Sequence, residues 1–174
     1  MKIGIASHIV LDSIQDIEGS ETESLGGPAC YGSIIAKTFN FDKILYTKVG
    51  YDFEKLELLK LDNIFLRGDQ IDEKNPTTRF RIILNKDGCR SLFLLAKCSP
   101  INNTFQNFDN LDGIVLSPVI DEITNEVFQN FSKTKKDKFF MLDPQGFLRD
   151  WNTATFSCIL GNQMKLNLMG KKVI

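Results

Sequence analysis

The order of apolar segments along the chain constrains the fold more than any other feature of the sequence. Short runs rich in β-branched and aromatic residues alternate with segments whose apolar residues recur at helical spacing. Four of these runs are predicted strands: IGIASHIVLD, KILYTKVG, DGIVLSPVI and KFFMLDP. Strands that alternate with helices predict a parallel sheet covered on both faces. The expected fold class is therefore α/β.

The segments between these runs predict helices and loops. Residues 3–12 predict one strand in the middle of a sheet, and the polar residues 13–24 predict a loop. A helix is predicted over residues 28–39, because Pro28 suits a first turn and the apolar residues after it recur at helical spacing. Further helices are predicted over residues 52–61 and 121–133, and another helix and strand in the tail 157–174.

The middle of the chain has a different character. Residues 77–97 read TTRFRIILNKDGCRSLFLLAK, two β-rich runs joined by NKDG, which is a good hairpin turn. The pattern predicts an antiparallel ribbon inserted into the alternation of strands and helices.

The chain length and the net charge exclude some classes of protein. With 174 residues a single domain is expected, and a net charge of -1 gives no global field that would draw the chain to nucleic acid or an anionic membrane. No run approaches the roughly 20 apolar residues that a membrane helix needs, and the amino terminus lacks a signal-peptide cleavage site. A cytoplasmic protein with neither nucleic acid nor membrane as a partner is expected.

The cysteines and the histidine do not form a metal or disulfide pattern. The four cysteines include no CxxC pair, and the one histidine, His8, is distant from them in sequence, so no metal site is predicted. His8 and Cys30 have apolar surroundings, which predicts packed core residues rather than ligands or nucleophiles.

Two segments could carry chemistry at the carboxyl ends of parallel strands, where ligands bind in open sheets. Asp12 closes the first predicted strand, and the Gly26-Gly27 turn opens the helix after it. A carboxylate there can accept two hydroxyl hydrogen bonds from a polyol, and glycines let amide groups approach the same ligand. The alternative, which spacing alone favours, is that Asp12 starts a loop and the glycines only make a tight turn.

The second segment is DPQGFLRD, which places Asp143, Gln145 and Arg149 beyond the last clear strand. This position would be at the ligand-binding edge of the sheet. The segment is equally typical of a proline turn followed by an exposed arginine that has no role in binding. GGPACYG does not match the GxGxxG fingerprint of dinucleotide-binding proteins, and no GxxxxGKS phosphate loop occurs, so a nicotinamide-dependent oxidoreductase is disfavoured.

Taken together, these pieces resemble the ribokinase-like, or PfkB, family of carbohydrate and nucleoside kinases, particularly its archaeal-type members. The resemblance rests on Asp12, GGPACYGSIIAKTF, KVGYD, the inserted hairpin, GIVLSPVIDEI and MLDPQGFLR, and it covers nearly the whole chain. It implies a doubly wound, mostly parallel sheet with a small β lid at residues 77–98. In the family, ATP with Mg²⁺ phosphorylates a sugar held between lid and sheet edge.

The resemblance also implies roles for individual residues. Asp12 would hold sugar hydroxyls, Gly26 and Gly27 would present backbone to the sugar, and Tyr31 and Lys97 would complete the substrate-binding set. Tyr31 stands where many relatives have asparagine. Arg149 would face the phosphate side. The lid often builds a dimer interface in relatives, so a homodimer, or pairing with a missing complementary half, is expected.

The sequence departs from the family in the residues that perform catalysis. Of the N-x-x-E motif that helps to organise Mg²⁺, Asn167 is present but Gly170 replaces the glutamate. The GAGD segment, which supplies the anion hole and the catalytic base, does not occur in the 174 residues. No catalytic or metal-binding residue is therefore predicted, and productive ATP and Mg²⁺ binding is not expected of this chain.

Two hypotheses follow. The first is the amino-terminal, sugar-binding part of a PfkB-type kinase, truncated or one piece of a split enzyme, inactive alone and prone to self-association. The second is a non-catalytic sugar-binding or regulatory module that keeps the pocket or the lid interface.

Overall fold

A computed structural model of the chain describes residues 1–55, 59, 64, 66, 68–101, 110–132 and 138–149. Half of the predicted helix at 52–61 falls outside these residues; of the described half, residues 52–55 are not helical and Leu59 is. The tail at 157–174 falls entirely outside the described residues. In the part of the chain that is described, no helix is long and apolar enough to cross a membrane.

The first sheet is parallel and has the strand order β10-β9-β1-β4. Its strands are short and carry buried aliphatic residues, as expected for strands covered on both faces. In chain order they are β1 (Lys2–Ala6), β4 (Asp42–Tyr46), β9 (Gly113–Leu116) and β10 (Phe139–Leu142). The alternating pattern of the sequence thus correctly predicted a parallel α/β arrangement.

Three helices accompany this sheet among the described residues: α1 (Pro28–Thr38), α2 (Asn125–Ser132) and α3 (Gln145–Leu148). Helix α1 begins with the proline predicted for its first turn, and it buries a face of small residues, so that its backbone lies close to the sheet. These small residues are Ala29, Cys30, Ser33 and Ala36.

The second sheet is mixed and has the strand order β3-β2-β7-β8. Its strands are β2 (Val10–Gln15), β3 (Glu21–Gly26), β7 (Arg79–Leu84) and β8 (Arg90–Ala96). Strand β2 pairs antiparallel with β3 and parallel with β7, and β7 pairs antiparallel with β8. The hairpin predicted around NKDG is confirmed, with Gly88 at φ 81° in its turn.

The prediction of one strand over residues 3–12 and a loop over 13–24 is wrong. The chain leaves the first sheet after Ala6, and β2 begins at Val10 in the second sheet. Residues 13–24 continue β2 and form most of β3, and a turn joins the two strands. In that turn Asp16 Oδ1 accepts hydrogen bonds from Glu18 N and Ser20 N, both at 2.9 Å, and Gly19 has φ 91°. This Asp-to-Gly turn was the local sign of a hairpin.

The predicted strand KILYTKVG also divides into two. After β4, residues Val49–Gly50 form β5, which pairs in parallel with β6 (Ile71–Asp72) in a small separate sheet. A short 3₁₀ turn, Gly68–Gln70, leads into β6.

One face of the second sheet packs onto the loop that follows β9. Val10 and Phe80 on the sheet form a buried cluster with Val119 and Ile120 in that loop. Partly buried residues on the same face extend the cluster along β7 and β8: Ile82, Leu92 and Leu94. The two sheets therefore meet through an apolar contact at one end of the first sheet.

The first sheet supplies a clear test of where stability resides. Ile114 in β9 is fully buried in the core, whereas Met141 in β10 is exposed. We expect Ile114→Ala to lower the free energy of unfolding by about 2–5 kcal/mol and Met141→Ala to change it by less than about 0.5 kcal/mol. Urea unfolding followed by circular dichroism measures both, and equal losses would contradict this assignment of the core.

Candidate functional site

The carboxyl ends of three strands of the first sheet carry polar residues. Ser7 follows β1, Ser117 follows β9 and Asp143 follows β10. Ser117 Oγ donates a hydrogen bond to Asp143 Oδ2 at 2.9 Å, and Asp143 Oδ1 accepts one from Gln145 N at 3.0 Å. This is the edge at which parallel sheets bind ligands, and the DPQG segment lies on it as predicted.

Asp12 lies near the same edge, but on the second sheet rather than at the end of the first strand. In β2 it is paired with Ser24 on one side and Phe80 on the other. The apolar neighbours of Phe80 pack onto the loop after β9, so Asp12 faces the space between the two sheets. The prediction that Asp12 ends the first strand is therefore wrong, because Asp12 lies within β2 of the second sheet.

Both glycines have close neighbours. A Cβ atom on Gly26 would lie 2.0 Å from Asp12 Oδ2, so any other residue there would displace that carboxylate. Gly27 has φ 88° and is the residue before α1, and a Cβ atom there would lie 2.4 Å from the carbonyl oxygen of His8. The glycines thus make a tight turn, as the alternative interpretation had it, and the same turn places Asp12 against glycine backbone.

The carboxyl group of Asp12 has an unusual electrostatic environment. Its side chain is 8% exposed, and burial raises its pKa to about 6, although the nearby charges of Arg149 and Arg90 act in the opposite direction. Among the residues that the structure describes, none donates a hydrogen bond to this carboxylate. Asp12 is therefore a nearly buried acceptor whose oxygens are available to a ligand.

Tyr31 lies beside Asp12. It is in the first turn of α1 and its side chain is 54% exposed. Burial of the hydroxyl group raises the pKa of Tyr31, and the charge of Asp12 raises it further. The phenol can donate a hydrogen bond to a ligand or accept one from it, so Tyr31 is a candidate residue for the same site as Asp12.

Arg149 reaches the site from the end of α3. Its guanidinium donates a hydrogen bond to the carbonyl oxygen of Val119, and it lies over the ring of Phe80 at 5.5 Å from the centroid. Burial lowers its pKa. Because Phe80 is the strand neighbour of Asp12, the structure brings Arg149 and Asp12 together.

Lys97 follows β8 and interacts with the loop after β9. Its Nζ lies 3.6 Å from Asp121 Oδ2, and both side chains are partly solvated. This ion pair joins the end of the second sheet to the loop on which Arg149 also rests. The ion pair therefore places the Lys97 ammonium group beside Asp121.

Glu122 is a central residue that the sequence did not reveal. Its side chain is fully buried. Oε1 accepts hydrogen bonds from His8 N at 3.0 Å and Val119 N at 2.8 Å, and Oε2 accepts one from Ile120 N at 2.6 Å. It holds the Val119 peptide whose carbonyl binds Arg149. The only local signal was a carboxylate shortly after a buried strand and a proline.

His8 and Cys30 are core residues, as predicted. His8 is fully buried, and burial lowers its pKa. Its Nε2 lies 3.0 Å from the carbonyl oxygen of Ser99, which can only accept, so Nε2 carries the proton. Nδ1 therefore accepts the hydrogen bond from Thr78 Oγ1 at 2.9 Å. The neutral ring is satisfied at both nitrogens and has no free group for chemistry.

No family model and no curated protein matches the sequence. Solved structures do match. The nucleoside kinase of Methanocaldococcus jannaschii, an archaeal member of the ribokinase family, aligns with a TM-score of 0.62 at 22% identity, over 84% of this chain and 53% of its own.

Two further structures match over a similar length. A pyrophosphate-dependent kinase in the ribokinase family, solved with sulfate, gives a TM-score of 0.72 at 19% identity, over 88% of this chain and 54% of its own. The chain has the ribokinase-like fold. The ribokinase of Cryptococcus neoformans var. grubii serotype A, solved with ADP, gives a TM-score of 0.67 at 14% identity, over 85% and 52% of the two chains. This chain spans about half the length of these matched structures.

The close approach at Gly27 can be tested against a matched glycine. Gly27 and Gly88 have φ values of 88° and 81°, but a Cβ atom on Gly88 would meet nothing within 4 Å. Gly88→Ala should cost only the backbone strain of about 1–2 kcal/mol. Gly27→Ala should cost clearly more, since its Cβ atom would collide with a carbonyl oxygen. Similar losses of unfolding free energy in urea would contradict the steric argument.

The raised pKa of Asp12 predicts a pH-dependent effect on stability. The unfolded carboxyl ionises near its ordinary value of 3.8, and the folded one near about 6. Stability is therefore lost as the pH rises between these values, and above them an ionised Asp12 destabilises the fold. We expect Asp12→Asn to raise Tm at about pH 8, by about 2–4 °C for each kcal/mol regained.

Differential scanning calorimetry across pH measures this effect. The gain should shrink towards about pH 4, where the folded wild-type carboxyl is neutral and the unfolded one is only partly ionised. The control is Asp42→Asn at the exposed start of β4, which should leave Tm nearly unchanged. A gain for Asp12→Asn that is independent of pH would contradict the assigned pKa.

Proposed function

We propose that the chain binds the hydroxyl-bearing acceptor of a ribokinase-type kinase, a sugar or a nucleoside, in the crevice between its two sheets. The observation that carries this proposal is the nearly buried carboxylate of Asp12, whose acceptor oxygens are not used by any described residue. An ionised carboxyl group without partners destabilises a fold, so its position is best explained by a ligand with several hydroxyl groups.

The surroundings of Asp12 suit such a ligand. The carboxylate can accept two hydrogen bonds from hydroxyl groups. The phenol of Tyr31, whose pKa is raised by the charge of Asp12, can donate or accept another. Gly26 and Gly27 have no side chains, so the backbone next to Asp12 can approach a ligand closely. In this proposal the second sheet acts as the β lid, with β2 and β7 forming the wall above the acceptor.

The matched structures support phosphoryl transfer as the reaction in which this acceptor takes part. They are a nucleoside kinase, a pyrophosphate-dependent kinase and a ribokinase solved with ADP. Either ATP or pyrophosphate is therefore a candidate donor for that reaction. When bound, Mg²⁺ would neutralise charge on the transferred phosphate.

The proposal covers the acceptor side only. No group of three or more His, Cys, Asp or Glu side chains in the described part of the chain could hold a metal ion. The sequence has no GAGD segment, which the family resemblance would require for the base and the anion hole. The proposal is therefore acceptor binding by this chain without turnover of its own.

Calorimetric titration with ribose, fructose and adenosine tests the proposal. At least one of them should bind, and Asp12→Asn should weaken that binding at least about tenfold, because hydrogen bonds to a charged group contribute about 1.5–3 kcal/mol. The exposed Asp42→Asn is the control. Affinity should also rise by about tenfold between about pH 5 and about pH 7, as Asp12 ionises near about 6.

Two results would count against the proposal. Absence of binding for every sugar and nucleoside would remove the acceptor site, and binding insensitive to Asp12→Asn would place it elsewhere. Incubation with ATP or pyrophosphate and Mg²⁺ tests turnover separately. Product formation at ordinary kinase rates, about 1–100 s⁻¹, would overturn the statement that the chain does not turn over alone.

A further inference from the structure

The second sheet is joined to the rest of the protein at four places along the chain. Residues 7–9 lead from β1 into β2, and Gly27 leads from β3 into α1. Residues 73–78 lead from β6 into β7, and the chain leaves the sheet again at Lys97, after β8. The position of the second sheet relative to the first therefore depends on how these four connections are held together.

His8, in the first connection, contacts the other three. Its Nε2–H donates a hydrogen bond to the carbonyl oxygen of Ser99 at 3.0 Å, in the connection after β8. Its Nδ1 accepts one from Thr78 Oγ1 at 2.9 Å, in the connection before β7. Its carbonyl oxygen lies so close to Gly27 that a Cβ atom on Gly27 would be 2.4 Å away. One buried residue thus touches every place at which the second sheet is attached.

The hydroxyl group of Thr78 joins two of these connections directly. It donates to His8 Nδ1 and accepts a hydrogen bond from Cys98 N at 3.0 Å. His8 and Thr78 are both fully buried. Because a buried polar group that loses its partner is not compensated by water, removal of this hydroxyl group leaves both His8 Nδ1 and Cys98 N without the partner they have here.

His8 is in turn fixed to the first sheet. Its neighbour Ser7 follows β1 directly, and Ser7 N donates a hydrogen bond to the carbonyl oxygen of Tyr46 at the end of β4. His8 N donates to Glu122 Oε1 at 3.0 Å, in the loop after β9. The ring of His8 therefore links the bases of β7 and β8 to the carboxyl edge of the first sheet.

We propose that His8 is a positioning residue for the crevice, and that its ring holds the second sheet at the distance from the first that buries Asp12. Asp12 lies in β2, which begins shortly after His8, and its partner Phe80 lies in β7, which begins shortly after Thr78. The bond between His8 and Thr78 thus joins the bases of the two strands that carry this pair. The effect on ligand binding rests on the proposed function, whereas the geometry of the crevice is tested without a ligand.

A role in stability alone predicts a different result from a role in positioning. A bond that only stabilises the fold lowers the free energy of global unfolding and leaves the crevice of the folded state unchanged. Loss of a positioning bond opens the second sheet locally while the first sheet stays folded. Water then reaches Asp12, and because burial is what raises its pKa to about 6, that pKa should fall towards the ordinary value of 3.8.

Thr78→Val tests the proposal, because it removes the hydroxyl group at nearly constant volume. NMR titration of the Asp12 carboxyl carbon should give a pKa at least about one unit lower than in the wild type. Native-state hydrogen exchange of the β7 amides should accelerate at least about tenfold more than that of the β9 amides. Thr78→Ser keeps the hydroxyl group and should restore both values towards those of the wild type.

Two further variants complete the comparison. His8→Gln keeps a donor in the place of Nε2 and loses the acceptor Nδ1, so it should act in the same direction as Thr78→Val. Ile114→Ala is the matched control, since it removes buried contacts from the core of the first sheet. It should lower stability without lowering the pKa of Asp12 and without accelerating exchange preferentially in β7.

Titration with ribose, fructose and adenosine connects the result to the acceptor site. Any of them that binds should bind at least about tenfold more weakly to Thr78→Val, and Thr78→Ser should recover the affinity. Unchanged affinity in Thr78→Val would overturn the positioning role in that site.

The measurements without ligand decide the inference independently of the proposed function. If the pKa of Asp12 stays near about 6 in both Thr78→Val and His8→Gln, or if exchange accelerates equally in β7 and β9, then His8 contributes to stability alone and the inference is overturned. If both changes occur but no sugar or nucleoside binds to the wild type, the proposed function is overturned and the positioning of Asp12 by His8 stands.

Discussion

The buried carboxylate of Glu122 is the interaction on which the arrangement of the site depends. Placing a charge in a protein interior is unfavourable unless hydrogen bonds compensate for lost hydration, and here three backbone N–H groups do so. One belongs to His8, between the two sheets, and two belong to the loop after β9. A single side chain thus joins segments 114 residues apart in sequence. The position of Arg149 follows, because its guanidinium rests on the same loop.

Structural features that depend only on residues close together in the chain were predicted correctly. The proline at the start of α1, the NKDG turn and the alternation of strands with helices each depend on neighbours along the chain, and all appear in the structure. The first strand was mispredicted for a physical reason. Residues 3–12 are apolar throughout because β1 and β2 are both buried, and such a pattern does not reveal that the chain changes sheets between them.

Some residues of the candidate site could likewise be predicted from the sequence, and others could not. Asp12, the two glycines and Arg149 could be proposed from the sequence, because strand ends, turns and a family resemblance point to them. Glu122 could not, because its role comes from a hydrogen bond to a distant backbone group.

The short crossing between the sheets determines how the crevice can respond to a ligand. Residues 7–9 are fully buried, and each of their amide groups is already bonded: Ser7 N to Tyr46 O, His8 N to Glu122, and Ile9 N to Thr47 Oγ1. A hinge there would break all three bonds. Movement of the second sheet relative to the first is therefore restrained at this crossing. The space beside Asp12 is shaped when the chain folds, and a ligand that bound there would need little further ordering of residues 7–9.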